Sequence, residues 1–172
     1  MLDFKRYIRE IPDFPQKGIS FKDITPLLLE PHIVKLCIDI MVDNIPKGIA
    51  VQKVVGIESR GFILASLLAQ ELNAGLVLVR KSGKLPYTTF RKHYELEYGD
   101  DAIEMHTDSI LPNENVIIHD DVLATGGTAK ATSELVIESG GNIVQHNFLI
   151  ELESLKGRKL LPNNDIFSLL TY

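Results

Sequence analysis

The sequence predicts an α/β fold: an open, twisted, mainly parallel sheet flanked by helices. Two observations support this prediction. Strand-length apolar runs alternate along the chain with segments of helical periodicity, and these runs are almost wholly apolar. A strand covered by helices on both faces has this composition, whereas a strand with one face in water alternates between apolar and polar residues. At 172 residues the chain is expected to form one domain, 1–172, with a sizeable core.

The elements are assigned in chain order. Residues 2–10 carry apolar side chains at near-helical spacing and predict a short amphipathic helix. The block that ends at residue 31 is rich in proline and aromatic residues, so it excludes a long helix and is expected to fold over the rest of the domain. Beyond it we predict helices over residues 32–44, 62–72 and 127–138, and strands over residues 53–57, 75–79, 116–119, 143–152 and 166–170.

Residues 81–108 interrupt this alternation. The segment is polar, and such a length of chain without a core pattern is usually functional or disordered. Apolar residues alternate at Tyr94 and Leu96 and again at Ile103 and Met105. This pattern predicts a hairpin centred on Gly99-Asp100-Asp101.

Charge and cysteine content restrict the partners and the compartment. A net charge of -5 gives no support to a nucleic-acid surface, which requires clustered Lys and Arg. No apolar stretch is long enough to cross a bilayer, and the first residues lack the apolar core of a secretion signal. One cysteine, Cys37, excludes an internal disulfide framework and fits a reducing compartment. We therefore expect a cytoplasmic protein with no nucleic-acid or membrane partner.

The stretch VIIHDDVLATGGT, residues 116–128, combines an apolar strand, two acids, a turn of small residues and the start of a helix. Small residues let backbone N–H groups close around a phosphate, and a helix that starts there adds the positive end of its dipole. The two acids stand where carboxylates can accept hydrogen bonds from vicinal ribose hydroxyls. The stretch therefore predicts a ribose 5-phosphate site formed by Asp120, Asp121, Ala124, Thr125, Gly126, Gly127 and Thr128.

Polar loops follow two other predicted strands at their carboxyl ends, the edge at which open parallel sheets bind ligands. ESRG follows the strand over residues 53–57 and supplies Arg60 and backbone amides. RKSGK follows the strand over residues 75–79 and supplies Arg80, Lys81 and Lys84. A single ligand, ribose 5-phosphate that carries a pyrophosphate, would bind to these two loops and to the acidic stretch together.

Five motifs carry a resemblance to a known family: PDFPQKGISFKDITP, GIESRGF, VRKSGKLP, YELEYG and the run from DD to ATGGT. Together they resemble the adenine phosphoribosyltransferases, which belong to the type I phosphoribosyltransferase superfamily. The likeness covers nearly the whole chain, in the family's order and spacing. It implies the type I phosphoribosyltransferase fold and the reaction of adenine with phosphoribosyl diphosphate (PRPP) to give AMP and pyrophosphate. This is a purine-salvage reaction of the glycosyltransferase class.

The resemblance also implies residue roles. Glu97 and Tyr98 match a mobile catalytic loop, here within residues 81–108, that closes over the reacting centre, and Glu97 would move the purine's proton. Arg60 matches the catalytic arginine of the pyrophosphate loop, in which the Glu58–Ser59 peptide bond is expected to be cis. The implied binding residues are Ile19, Ser20, Phe21 and Lys22 of a hood over residues 1–31 for adenine, Glu58, Ser59, Arg60, Arg80, Lys81 and Lys84 for pyrophosphate, Asp120 and Asp121 for ribose, and Ala124–Thr128 for the 5-phosphate.

Two further properties are implied. Mg²⁺ should arrive with PRPP rather than in a protein cage, since this ion prefers substrate oxygens and retained water. The five histidines lack metal-site spacing, so no bound zinc is expected. The family is typically homodimeric, with basic residues near Arg80–Lys84 close to the subunit contact.

The sequence departs from the family at His119, which stands in place of an aliphatic residue and is interpreted as a satisfied strand histidine. Lys22 replaces an arginine found in some members, which leaves a backbone contact to adenine intact but puts a guanidinium contact in doubt. Three alternatives remain at this point. The base could be a 6-oxopurine (hypoxanthine, guanine or xanthine), the protein could be a non-catalytic PRPP-binding regulator, or the glycine loop could be only a turn.

Overall fold

The computed structural model describes residues 3–96, 99–162 and 165–172. Its main sheet has seven strands: Lys53–Ile57 (β3), Gly75–Lys81 (β4), Thr89–Leu96 (β5), Gly99–His106 (β6), Asn115–Leu123 (β7), Asn142–Glu151 (β8) and Asp165–Thr171 (β9). They lie in the order β5-β6-β4-β3-β7-β8-β9. From β4 to β9 the neighbours are parallel, while β5 and β6 pair antiparallel at the β4 edge. The predicted open, mainly parallel sheet is confirmed.

Helices cover both faces of this sheet. They are Thr25–Leu28 (α1), Pro31–Asp43 (α2), Gly61–Glu71 (α3) and Gly127–Glu138 (α4). Leu64 and Leu68 of α3 pack in one core with Ile117, and Leu135 of α4 packs in a second core with Ile118. Because successive strand residues point to opposite faces, α3 and α4 lie on opposite sides of β7. Within the described ranges, no helix is long and apolar enough to cross a bilayer.

The first residues differ from the prediction. Instead of a helix over residues 2–10, a single 3-10 turn spans Phe4–Tyr7, and Arg9–Ile11 (β1) is extended. β1 pairs antiparallel with Phe21–Asp23 (β2) in a separate two-stranded sheet. The helical prediction is therefore wrong at these residues, because pairing with a strand twelve residues further on overrides a local apolar spacing.

The predicted hairpin is confirmed, but its centre is displaced. Strands β5 and β6 pair from Thr89 opposite His106 to Leu96 opposite Gly99. The segment Gly99-Asp100-Asp101, predicted as the turn, therefore already belongs to β6. Glu97 and Tyr98, the two catalytic residues predicted in this region, lie outside the described residues.

Candidate active site

A cavity of about 500 Å³ opens at the carboxyl ends of β3 and β7 and beneath the β2 strand of the hood. It brings together the predicted adenine residues, the loop after β3 and the acidic pair of β7, three regions far apart in the sequence. The described residues that line it are Ile19, Ser20, Phe21, Lys22, Glu58, Ser59, Arg60, Asp120, Asp121, Val122, Ala124 and Leu152.

The acidic pair lies near the end of β7. Burial raises the pKa of Asp120 well above its ordinary value, and the neighbouring charge of Asp121 raises it further. Burial also raises the pKa of Asp121, although the Arg60 guanidinium opposes this shift. A Cβ atom on Gly61 would come within 2.7 Å of Oδ1 of Asp120, so the start of α3 approaches this carboxylate more closely than a side chain would allow. These carboxyl groups are thus held in a desolvated setting in which new hydrogen-bond donors are strongly favoured.

Arg60 connects the hood to the acidic pair. Its Nη2 atom lies 2.6 Å from Oδ2 of Asp121, and its Nη1 atom donates to the Lys22 carbonyl oxygen at 3.2 Å. The guanidinium carbon lies 4.6 Å from the centre of the Phe21 ring, within the range of a cation–π contact. The Glu58–Ser59 peptide bond that precedes Arg60 is cis, as predicted.

Three of the four basic residues predicted to bind pyrophosphate, Arg80, Lys81 and Lys84, are paired with carboxylates. Glu58 forms ion pairs with Lys84 and, at 3.3 Å, with Nε of Arg80, and it accepts a hydrogen bond from the Lys81 N–H at 2.9 Å. Burial raises the pKa of Glu58, but these bonds outweigh it and leave that pKa below its ordinary value. The Lys81 ammonium lies 2.9 Å from Asp101 of β6. None of the three is among the described residues lining the 500 Å³ cavity, so this conformation places them beside it.

The loop between β7 and α4 surrounds a second, smaller cavity of about 60 Å³. Its lining includes Asp120 and all five residues of the predicted phosphate loop, Ala124–Thr128. Gly126 adopts a φ of 86° at the N-terminus of α4, a conformation that favours glycine. Glycine offers no side chain to cap the helix, so the N–H groups of the first turn are available to an anion.

The hood presents different parts of its residues to the cavity. Phe21 packs edge-on against Phe14, with ring centres 5.1 Å apart. The Lys22 ammonium, by contrast, lies 2.7 Å from Glu10 and 4.3 Å above the centre of the Tyr172 ring. The charge of Lys22 is therefore engaged by Glu10 of the hood and by the ring of Tyr172, which follows β9.

Two residues that line the 500 Å³ cavity are not predicted from the sequence. Val122 follows the acidic pair in β7, and Leu152 follows β8, where its N–H donates to the Leu123 carbonyl oxygen at 2.9 Å. The predicted strand over residues 143–152 already ended at this edge, so the strand-end argument could have identified Leu152. His119 is fully buried in β7 with Nδ1 3.2 Å from Oδ1 of Asn147, so it is a strand histidine as predicted, but within the described residues its Nε2 atom has no partner and the ring is only half satisfied.

Comparisons with known proteins agree with this geometry. The model of the phosphoribosyl transferase domain family matches residues 25–165. The chain is 55% identical to the adenine phosphoribosyltransferase of Christiangramia forsetii, over 99% of both chains. The adenine phosphoribosyltransferase structure from Rhodothermus marinus superposes with a TM-score of 0.94 at 53% identity, covering 98% of this chain and 96% of that one. The Saccharomyces cerevisiae enzyme, solved with adenine and an imino-altritol bisphosphate, gives 0.91 at 41% identity over 97% and 96% of the two chains. The chain belongs to the adenine phosphoribosyltransferase family.

Proposed function

We propose that the protein transfers the 5-phosphoribosyl group of PRPP to adenine in the 500 Å³ cavity, giving AMP and pyrophosphate. One observation carries this proposal: a single cavity joins the hood, the acidic pair and Ala124 of the phosphate loop, which together match the base, ribose and phosphate of AMP. Adenine bound in the yeast relative supports the choice of base.

In this reaction a ring nitrogen of adenine attacks the anomeric carbon while the bond to pyrophosphate breaks, through a transition state with oxocarbenium character. The chain's main contribution is alignment of the two substrates. Asp120 and Asp121 would accept hydrogen bonds from the ribose hydroxyls, and the α4 N-terminus would hold the 5-phosphate. Phe21 and Leu152, which line the cavity, offer apolar surface to the purine ring.

Charge on the departing pyrophosphate needs neutralisation. Arg60, Arg80, Lys81 and Lys84 lie in or beside the cavity, and we assign them this role once PRPP competes for their carboxylate partners. Mg²⁺ is proposed to enter with PRPP. The acidic pair offers carboxylate oxygens, the donor type that Mg²⁺ prefers, but across the described ranges no cluster of three acidic, histidine or cysteine side chains could hold a metal alone. When bound, the ion would further neutralise the pyrophosphate.

The base assignment is tested by supplying PRPP and Mg²⁺ with each purine in turn. We expect AMP formation from adenine to exceed formation of the corresponding products from hypoxanthine, guanine and xanthine by at least about tenfold. Equal or faster turnover of a 6-oxopurine would contradict the assignment. PRPP binding without product from any purine would instead favour the non-catalytic regulator.

Glu97 is assigned to proton transfer with the purine and Tyr98 to the closing loop, both on the family resemblance. Replacement of Glu97 by Gln keeps the side chain's size but removes its basicity, so kcat is expected to fall by about a hundredfold. The affinity for AMP should change far less and can be measured by calorimetry. Wild-type kcat in Glu97→Gln would exclude the proton-transfer role.

A homodimer is also proposed. Ile63 and Leu67 of α3 and Leu76 and Leu78 of β4 are exposed apolar side chains on one side of the sheet, next to the basic segment Arg80–Lys84. Such a patch on a monomer marks an interaction surface. Sedimentation equilibrium should give twice the chain mass, and Leu67→Glu should lower it to a single chain. A wild-type monomer would refute the assignment.

The cytoplasmic location stays a prediction from the sequence.

A further inference from the structure

The phosphate loop packs directly against a segment that follows β8. This buttress segment, residues 153–160, consists of two 3-10 turns, Glu153–Leu155 and Gly157–Leu160. A Cβ atom added to Gly157 would lie 2.2 Å from the Ala124 carbonyl oxygen and 2.9 Å from the Gly126 nitrogen. A Cβ on Gly126 would lie 2.4 Å from the Gly157 carbonyl oxygen. Two backbones thus meet with no space for a side chain on either.

An ion pair between the exposed Arg158 and the buried Glu151 fixes the buttress segment to the sheet. Nε and Nη2 of Arg158 lie 3.0 and 2.6 Å from the two carboxylate oxygens of Glu151, the last residue of β8. Nη1 of Arg158 donates to the Ile166 carbonyl oxygen at 2.9 Å, and the Ser168 hydroxyl donates to Glu151 at 2.7 Å. The bond from Arg158 lowers the pKa of Glu151 below its ordinary value. This planar, two-pronged contact fixes orientation as well as position.

The far end of the buttress segment is also anchored. Leu161 is buried in a small apolar cluster with Leu123, Ala129 and Phe148. Leu123 ends β7 and Ala129 lies in the first turn of α4, so this cluster grips the residues on both sides of the phosphate loop. The backbone of Gly157 therefore contacts the loop itself, and Leu161 packs against the residues at the two ends of the loop.

We propose that Gly157 and the Glu151–Arg158 pair are positioning residues that shape the Ala124–Thr128 loop for the 5-phosphate of PRPP. This inference rests on the proposed function. Amides that bind a phosphate must be held to within about 0.5 Å of their productive positions by the groups packed behind them. Neither Gly157 nor Arg158 is among the described residues lining the two cavities, so their effect on the phosphate passes through the loop backbone.

Gly157→Ala tests the close approach. The methyl group must push the Ala124 carbonyl and the Gly126 amide away, so the KM for PRPP is expected to rise by about tenfold or more. The KM for adenine, measured at saturating PRPP, should stay within about twofold of wild type because the hood is untouched. Gly141→Ala is the matched control. A Cβ there would also be crowded, at 3.0 Å from Ile110 and Val136, but Gly141 lies beyond the opposite end of α4.

Arg158 gives a second, graded test. Arg158→Gln should raise the KM for PRPP. Arg158→Lys keeps one ionic contact with Glu151 but loses the two-pronged geometry, so its KM for PRPP should lie between those of Arg158→Gln and the wild type. A purely structural role would lower the amount of active enzyme, and thus the apparent kcat, without separating the two KM values. Unchanged KM for PRPP in folded Gly157→Ala and Arg158→Gln would overturn the inference. An inactive wild type would instead refute the proposed function.

Discussion

Arg60→Gln is expected to lower kcat/KM for PRPP by about a hundredfold, the equivalent of losing one charge-assisted contact worth about 3 kcal/mol. The guanidinium is the only positive group within hydrogen-bond range of the Asp121 carboxylate among the ion pairs of the described residues. Because that guanidinium lowers the pKa of Asp121, its removal should raise this pKa still further above the ordinary value. Asp121 would then remain protonated at higher pH and lose acceptor strength for the ribose hydroxyls. The acid limb of the pH profile of kcat/KM should therefore move to higher pH.

The pH profile separates this electrostatic effect from simple loss of a contact. Asp121→Asn removes the carboxylate that contacts Arg60, so Arg60→Gln added to Asp121→Asn should move the acid limb less than it does alone; Asp120 still titrates there, and the Arg60 charge is the smallest of the contributions to its pKa. Arg9→Gln is the matched control, since Arg9 belongs to the hood but forms a 3.5 Å pair with Asp23 from an exposed side chain, a kind of pair that contributes little. An Arg60→Gln profile with an unmoved acid limb would show that Asp121 does not titrate in the active range.

The sequence predicted the sheet and its helices where local signals were unambiguous. The helix over residues 127–138 matches α4 and the strand over residues 53–57 matches β3, because glycine or an acidic edge marks their ends. The helix α1 and the pairing of β1 with β2 were not predicted, since short elements in a proline-rich block depend on tertiary contacts rather than on periodicity. The displaced hairpin centre has the same origin, since pairing continues through Gly99.

The residues that form the site could be predicted from the sequence for one physical reason. Carboxyl ends of parallel strands share an edge, so the residues after β3 and β7 had to meet. The contact partners of the long side chains could not be predicted in this way. The Arg60 guanidinium contacts Asp121 and the Lys22 carbonyl oxygen, both of which are far from Arg60 in the sequence. Glu58 likewise forms ion pairs with Arg80 and Lys84. The approach of Gly157 to Gly126 likewise joins residues 31 positions apart through backbone shape alone.

Two buried histidines are expected to make the folded state lose stability as the pH falls from about 6.5 to about 4. Burial lowers the pKa of both His119 and His146 from 6.5 to about 4. A histidine with a depressed folded-state pKa stabilises the fold fully above its unfolded pKa, and this contribution is lost as the pH falls to its folded pKa. At 1.36 kcal/mol per pKa unit, each histidine should cost about 3 kcal/mol of unfolding free energy across this range.

The hydrogen bonds explain why neither ring accepts a second proton. The Asn147 amide donates to Gln145 at 3.0 Å and so turns its carbonyl oxygen toward Nδ1 of His119, which must carry the proton. The Ser133 hydroxyl donates to the Ala129 carbonyl oxygen at 2.8 Å, which requires Nε2 of His146 to donate to Ser133. The remaining nitrogens, Nε2 of His119 and Nδ1 of His146, are buried and have no partner within the described part of the chain. A second proton on either ring would therefore be a buried donor without an acceptor.

Urea unfolding at a series of pH values between 7.5 and 4.5 measures this effect as the slope of unfolding free energy against pH. His119→Gln and His146→Gln keep a hydrogen-bonding side chain but cannot titrate, so each should flatten the slope, and the double variant should flatten it by about the sum because the two rings share no partner. His32→Gln is the control, since that side chain is 70% exposed and should leave the slope unchanged. A wild-type slope in the double variant would assign the acid sensitivity to other groups. Because only slopes of unfolding free energy against pH are compared, a change in the absolute stability of a variant does not affect the result.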